Sequence, residues 1–90
     1  MYYNNIVTVH RSALKHGSTV SDIMHVCNNP IVFLELEEGN RPKVLLIGAD
    51  KSGNLLEVIL LVLEQEQLLA VHAMKLRPST RKLFSDLRGY

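Results

Sequence analysis

Cysteine is nearly absent from this chain of 90 residues. Cys27 stands alone, so no internal disulfide can form, and a reducing, cytoplasmic setting is the default expectation. No Cys/His cluster has zinc-site spacing, and no metal or other cofactor is expected. The opening Met1-Tyr2-Tyr3-Asn4-Asn5 lacks the basic and apolar regions of a secretory leader. The longest apolar run, Val58 to Leu63, falls far short of the ~20 residues a membrane helix requires. There is no Gly-rich phosphate loop, nucleophile motif, internal repeat or low-complexity stretch. Ile47-Gly48-Ala49-Asp50-Lys51-Ser52-Gly53 superficially resembles a phosphate loop, but it leads into a strand pattern and reads as a hairpin.

What is present is ordinary globular composition. An apolar fraction of 47% and a charged fraction of 21% support one domain over 1–90, with 1–7 as a loose N-terminal end. The net charge of +1 conceals a gradient. Residues 31–67 carry seven acids against Arg41, Lys43 and Lys51. Residues 68–90 carry Lys75, Arg77, Arg81, Lys82 and Arg88 against Asp86. Such a basic end suits phosphates or an acidic protein; the alternative is a solvated helix face.

Two short helices are expected first. Val9 and Ala13, with Leu14 beside them, suit a helix over Thr8–His16 that stops at Gly17. Thr19 with Asp22 resembles a capping box ahead of Val20, Ile23, Met24 and Cys27, and Asn29-Pro30 ends that helix. Four strands follow, over 31–37, 43–48, 54–63 and 68–75. Their turns are at Gly39-Asn40, at Asp50-Lys51-Ser52-Gly53 and, with poor turn composition, at Gln65-Glu66. Pro78-Ser79-Thr80 opens a last helix to about Leu87, striped by Leu83, Phe84 and Leu87. The expected class is α+β: two short N-terminal helices, a four-stranded antiparallel meander and a C-terminal helix.

Side chains alternate across a strand, and each turn fixes which residues pair. With these turns Glu57 lies opposite Met74 and diagonal to His72, and Leu46 faces Glu57. One face then carries Phe33, Glu35, Glu37, Val44, Leu46, Glu57, Ile59, Leu61, His72 and Met74. The other carries Val32, Leu34, Leu36, Leu45, Ile47, Leu56, Val58, Leu60, Val62, Leu69, Val71 and Ala73. The apolar face is expected under the helices. The mixed face, too apolar to stay bare, is expected to be covered in part by a partner protein, a second copy or the last helix.

Glu57 is the outlier in an otherwise apolar strand. A carboxylate beside an imidazole fixes its tautomer and favours its charged form, so Glu57 with His72 suits general acid–base work. The alternatives are a polar docking patch, or Glu57 paired with a lysine. Lys15-His16 sits where the helix dipole favours cations, which is a complete structural account; the functional alternative is that this helix end faces a phosphate. Lys75, Arg77, Arg81 and Lys82 straddle the last strand and the last helix, where Arg can clamp phosphate. Cations at a helix start oppose the dipole, and that frustration favours a ligand.

The order of landmarks resembles the BrnT toxins. They are Lys15-His16-Gly17, Val20-Ser21-Asp22-Ile23, Asn29-Pro30, Ile47-Gly48, Gly53-Asn54-Leu55-Leu56-Glu57-Val58 and the basic tail after His72-Ala73-Met74. The likeness covers about residues 8–86. It implies a RelE-like fold and a small ribonuclease of a bacterial type II toxin–antitoxin pair, with RNA and a cognate antitoxin as partners, no membrane, and a homo-oligomer as an open alternative. Lys15, His16, Lys75 and Arg81 fall on basic positions of the family pattern. The chain departs from it where the family commonly reads Ser-Ala-Arg and this sequence has His72-Ala73-Met74. Pro78-Ser79-Thr80 interrupts the basic run, and Phe84 replaces a hydroxyl-bearing aromatic. His72 does not match the family residue, although it occupies the same strand position. Resemblance and residues together lead to the expectation of a metal-independent endoribonuclease using His72, Glu57, Lys15 and His16, with Lys75, Arg77, Arg81 and Lys82 on phosphate. The alternative is a catalytically inactive protein- or RNA-binding module.

Overall fold

Runs of β-branched and leucine side chains between turn residues build most of the chain into one sheet. The computed structural model describes residues 7–36 and 41–87, the side chains of Phe84, Asp86 and Leu87 excepted. In chain order it contains β1 (Val7–Val9), a 3₁₀ turn (Arg11–Leu14), α1 (Val20–Asn28), β2 (Val32–Leu36), β3 (Lys43–Ala49), β4 (Leu55–Val62), a short 3₁₀ segment in the next loop (Glu64–Glu66), β5 (Leu68–Lys75) and α2 (Pro78–Leu87). The sheet has five strands in the order β1-β5-β4-β3-β2, with β1 parallel to β5 and the other neighbours antiparallel.

This corrects the expected fold of two N-terminal helices, four antiparallel strands and a C-terminal helix. The helix expected over Thr8–His16 does not form. Val7-Thr8-Val9 instead extends along Leu68-Leu69-Ala70. His10 then turns the chain, its Nδ1 accepting the Ser12 N–H at 3.1 Å. Three residues carry too little periodicity to show as a strand, and a parallel partner some sixty positions away leaves no hairpin signature. The expected loose end at 1–7 and the Gly39-Asn40 turn fall on residues outside those described, apart from Val7, which lies in β1.

α1 begins as the capping pattern requires. Thr19 Oγ1 accepts the Asp22 N–H at 3.1 Å and donates to Asp22 Oδ2 at 2.8 Å. Its Ile23, Val26 and Cys27 are buried. The end of α1 crosses close to β3 at Gly48, so that a side chain there would push α1 outward by a few tenths of an ångström. A Cβ there would lie 3.1 Å from both Asn29 O and Val26 Cγ1.

Register decides which residues meet α1. Phe33 pairs with Leu46, as the first turn requires. The second hairpin is one residue off its expected register: Glu57 pairs with Ile47, not Leu46. The loop is shorter than four residues. Asp50 N–H bonds Asn54 O at 2.8 Å, leaving Lys51-Ser52-Gly53 as a three-residue loop with Gly53 at φ +88. Asp50 Oδ1 accepts the Ser52 and Asn54 N–H groups and fixes that loop. Leu45 and Ile47 consequently turn to the Glu57 face, while Val44 and Leu46 join Leu56, Val58 and Leu60 beneath α1.

The third hairpin follows the expected register from Leu56↔Lys75 to Ile59↔His72, then shifts so that Leu60 pairs with Ala70. This bulge at Val71 brings Leu68 and Ala70 into the core, where the alternation alone places Leu69 and Val71. The core proper holds Ala13, Ile23, Val26, Val58, Leu60 and Ala73 among others, each almost fully excluded from solvent. No helix among the described residues is long and apolar enough to cross a membrane.

Candidate functional site

Glu57 lies mid-way along β4, flanked by Ile47 and Met74, with none of its surface exposed. A carboxylate so placed must be compensated by directed donors. They come from three sources. Across the sheet, His72 sits diagonally opposite, and its Nε2 is 2.9 Å from Glu57 Oε2. From the link to α2, Arg77 gives its backbone N–H to Oε1 at 3.0 Å, and its Nε and Nη2 to Oε2 at 3.1 and 2.7 Å. From the first turn of α2, the buried Thr80 hydroxyl also bonds the carboxylate. Burial pushes the carboxyl pKa up, but the bonds from Arg77, His72 and Thr80 outweigh it and hold Glu57 at about 2. No buried side-chain nitrogen or oxygen among the described residues lacks a partner.

An ionised carboxylate only accepts, so Nε2 of His72 is the nitrogen that carries hydrogen. Nδ1 of the neutral ring is then left with its lone pair, fixed in orientation by Glu57. The His72 side chain is 23% exposed and Arg77 48%, so the carboxylate is sealed while its partners reach solvent. Arg77 also precedes Pro78, and its carbonyl accepts the Arg81 N–H at 2.9 Å. It therefore stands at the N-cap of α2, with Pro78 in the first helical position. The anion at this helix start is Glu57 itself, which offsets the unfavourable placing of Arg77, Arg81 and Lys82 near the positive end of the dipole.

The bulge organises the other side of His72. Val71 O accepts a 2.8 Å bond from Ser12 Oγ, and His10 N–H bonds Ala70 O at 2.8 Å. These bonds dock the 3₁₀ turn on β5. The chain leaving it carries Lys15 and His16 to Gly17, whose φ of +90 suits glycine. The His16 ring meets the His72 ring edge-on, centroids 6.0 Å apart and planes at 65°.

The structure thus gathers Glu57, His72, His16 and Arg77 in one place. Arg77, expected on phosphate, spends two of its side-chain N–H groups on Glu57. Lys15 is exposed at the end of the 3₁₀ turn, next to His16. Arg81 and Lys82 are exposed on α2. Lys75 pairs with Leu56, whose side chain points into the core on the α1 face, so strand alternation directs Lys75 away from Glu57. Lys15, Lys75, Arg81 and Lys82 form no ion pair among the described residues. Thr80, Ser12 and the anchoring role of Arg77 were not legible as site features; Arg77-Pro78 as a helix-start pair was the available signal. No three His, Cys, Asp or Glu side chains converge as metal ligands among the described residues. Comparison of the chain with family models, curated proteins and solved structures gives no match.

Proposed function

We propose that this protein is the toxin component of a bacterial type II toxin–antitoxin pair, acting in the cytoplasm as a metal-independent endoribonuclease. The observation that carries the chemistry is the 2.9 Å contact between His72 Nε2 and the buried Glu57 carboxylate. It commits one ring nitrogen and leaves Nδ1 as a proton acceptor of fixed direction. The reaction is attack of a ribose 2′-OH on the adjacent phosphorus. The 2′-OH proton passes to His72 Nδ1, the 2′-oxygen–phosphorus bond forms, and the bond to the 5′-oxygen breaks. Glu57 stabilises the resulting imidazolium. Lys15, Arg81, Lys82 and the remaining N–H groups of Arg77 supply positive charge to the phosphate. The order of short motifs from Lys15 to His72 supports the toxin lineage and a cognate antitoxin as partner.

The test is purified protein, freed of antitoxin, incubated with total RNA beside His72→Ala. Loss of a positioned base should reduce cleavage about 10²–10⁴-fold with the fold retained, and cleavage should persist in EDTA. Equal cleavage by both proteins overturns the His72 assignment. A second reading, a binding module without catalysis, is favoured by one observation: every Glu57 donor besides His72 lies at the start of α2, as expected of a structural pin. No cleavage by either protein, with or without ribosomes, decides for it.

A further inference from the structure

Resting on the ribonuclease reading above, we infer that His16 is a second catalytic group, the general acid that protonates the leaving 5′-oxygen. His72 cannot serve both ends of the reaction. Its Nε2 is held by Glu57 at 2.9 Å, so one nitrogen alone is available, and that nitrogen takes the proton of the 2′-OH. The leaving alkoxide needs another donor on the far side of the same phosphorus.

His16 is the nearest imidazole. Its ring lies 6.0 Å from that of His72, centroid to centroid. It is exposed, and among the described residues neither of its nitrogens has a hydrogen-bond partner. The two rings are close enough for each to reach one apical oxygen of a single phosphorus at about 2.6–3.2 Å. The approach is built by three features: the Ser12 Oγ bond to Val71 O at 2.8 Å, the bulge that exposes that carbonyl, and Gly17 at φ +90.

The electron and proton balance is complete without a further reactant. The 2′-oxygen–phosphorus bond forms as the phosphorus–5′-oxygen bond breaks. One proton goes from the 2′-OH to His72, and one goes from the His16 imidazolium to the 5′-oxygen. The products are a 2′,3′-cyclic phosphate and a 5′-hydroxyl, and solvent restores the two protonation states.

The experiment compares two RNA oligonucleotides, each containing a linkage the wild-type protein cuts. One is unmodified. The other has sulfur in place of the bridging 5′-oxygen, and a thiolate leaves without needing a proton. His16→Ala should cut the unmodified linkage about 10²–10⁴-fold more slowly than wild type, and should return to within about tenfold of wild type on the sulfur linkage. His72→Ala should be slow on both. Equal slowing of His16→Ala on both linkages, or no slowing on either, overturns the assignment while leaving the ribonuclease reading intact. Failure of the wild-type protein to cut either linkage overturns the ribonuclease reading, and this inference with it.

Discussion

Val58 and Glu57 are neighbours in β4, and each is 0% exposed. Val58 faces α1 and is held by Ile23, Val26, Leu46 and Leu60, contacts without direction whose strength follows the area removed from water. Glu57 faces the other way and is held by five directed bonds, three from Arg77 and one each from His72 and Thr80. The first kind of burial does not depend on pH and does not fix where any hydrogen sits. The second depends on pH and dictates a tautomer. One strand thus carries apolar packing on one side and a pH-dependent ionic cluster on the other. Leu45 and Ile47, on the Glu57 side, are also buried.

The largest effect should come from the α1 side. Leu60→Ala should lower the unfolding free energy by roughly 2–5 kcal/mol, and urea titration should give the same loss at pH 7 and pH 3. On the opposite side the loss should track pH. Glu57 has a folded pKa of about 2 against 4.5 when unfolded. Its stabilisation is therefore complete above pH 4.5 and is lost as pH falls toward 2, because the unfolded chain takes up the proton first. The shift corresponds to about 3 kcal/mol, and Glu57→Gln should flatten the dependence across that window. A Glu57→Gln protein with unchanged acid sensitivity would place the titrating group elsewhere.

Arg77→Ala should cost about 2 kcal/mol, less than breaking a fully buried pair, because Arg77 is itself half exposed and His72 and Thr80 remain. Thermal unfolding reads this directly. Gly48→Ala should cost about 1 kcal/mol, since its Cβ meets Asn29 O and Val26 Cγ1 at 3.1 Å and α1 must move outward. The smallest effect should be a gain. Gln65 and Glu66 sit at φ 59 and 60, as a type I′ turn demands. Glu66→Gly should relieve that strain and stabilise the protein by about 0.5–1 kcal/mol.

Alternation made the Glu57–His72 pairing legible because the loop over Glu64–Glu66, one residue longer than the expected turn, is offset by the bulge at Val71. The same rule misplaced Leu45 and Ile47, since it depends on loop length. Asp50 bonding to Ser52 and Asn54 makes a three-residue loop where composition suggests four. It also misplaced Leu69 and Val71, because a bulge cancels alternation and no residue type announces it. β1 was illegible for a third reason: its partner strand is remote and parallel. His16 reached His72 through both of these hidden features, the bulge and the docking of the chain after β1. Its place beside Lys15 in a family-like motif was the only mark it left in the sequence.

The central claim is that an ionised, buried Glu57 fixes His72 as the Nε2–H tautomer, with Nδ1 as the free acceptor. The ¹⁵N chemical shifts of the His72 ring, read by NMR above the pH at which the imidazole has lost its charge, measure this directly. The account predicts a protonated Nε2 and a bare Nδ1, and a mixture of tautomers in Glu57→Gln. A His72 ring protonated on Nδ1 in the wild-type protein, or equally mixed in both proteins, would contradict it.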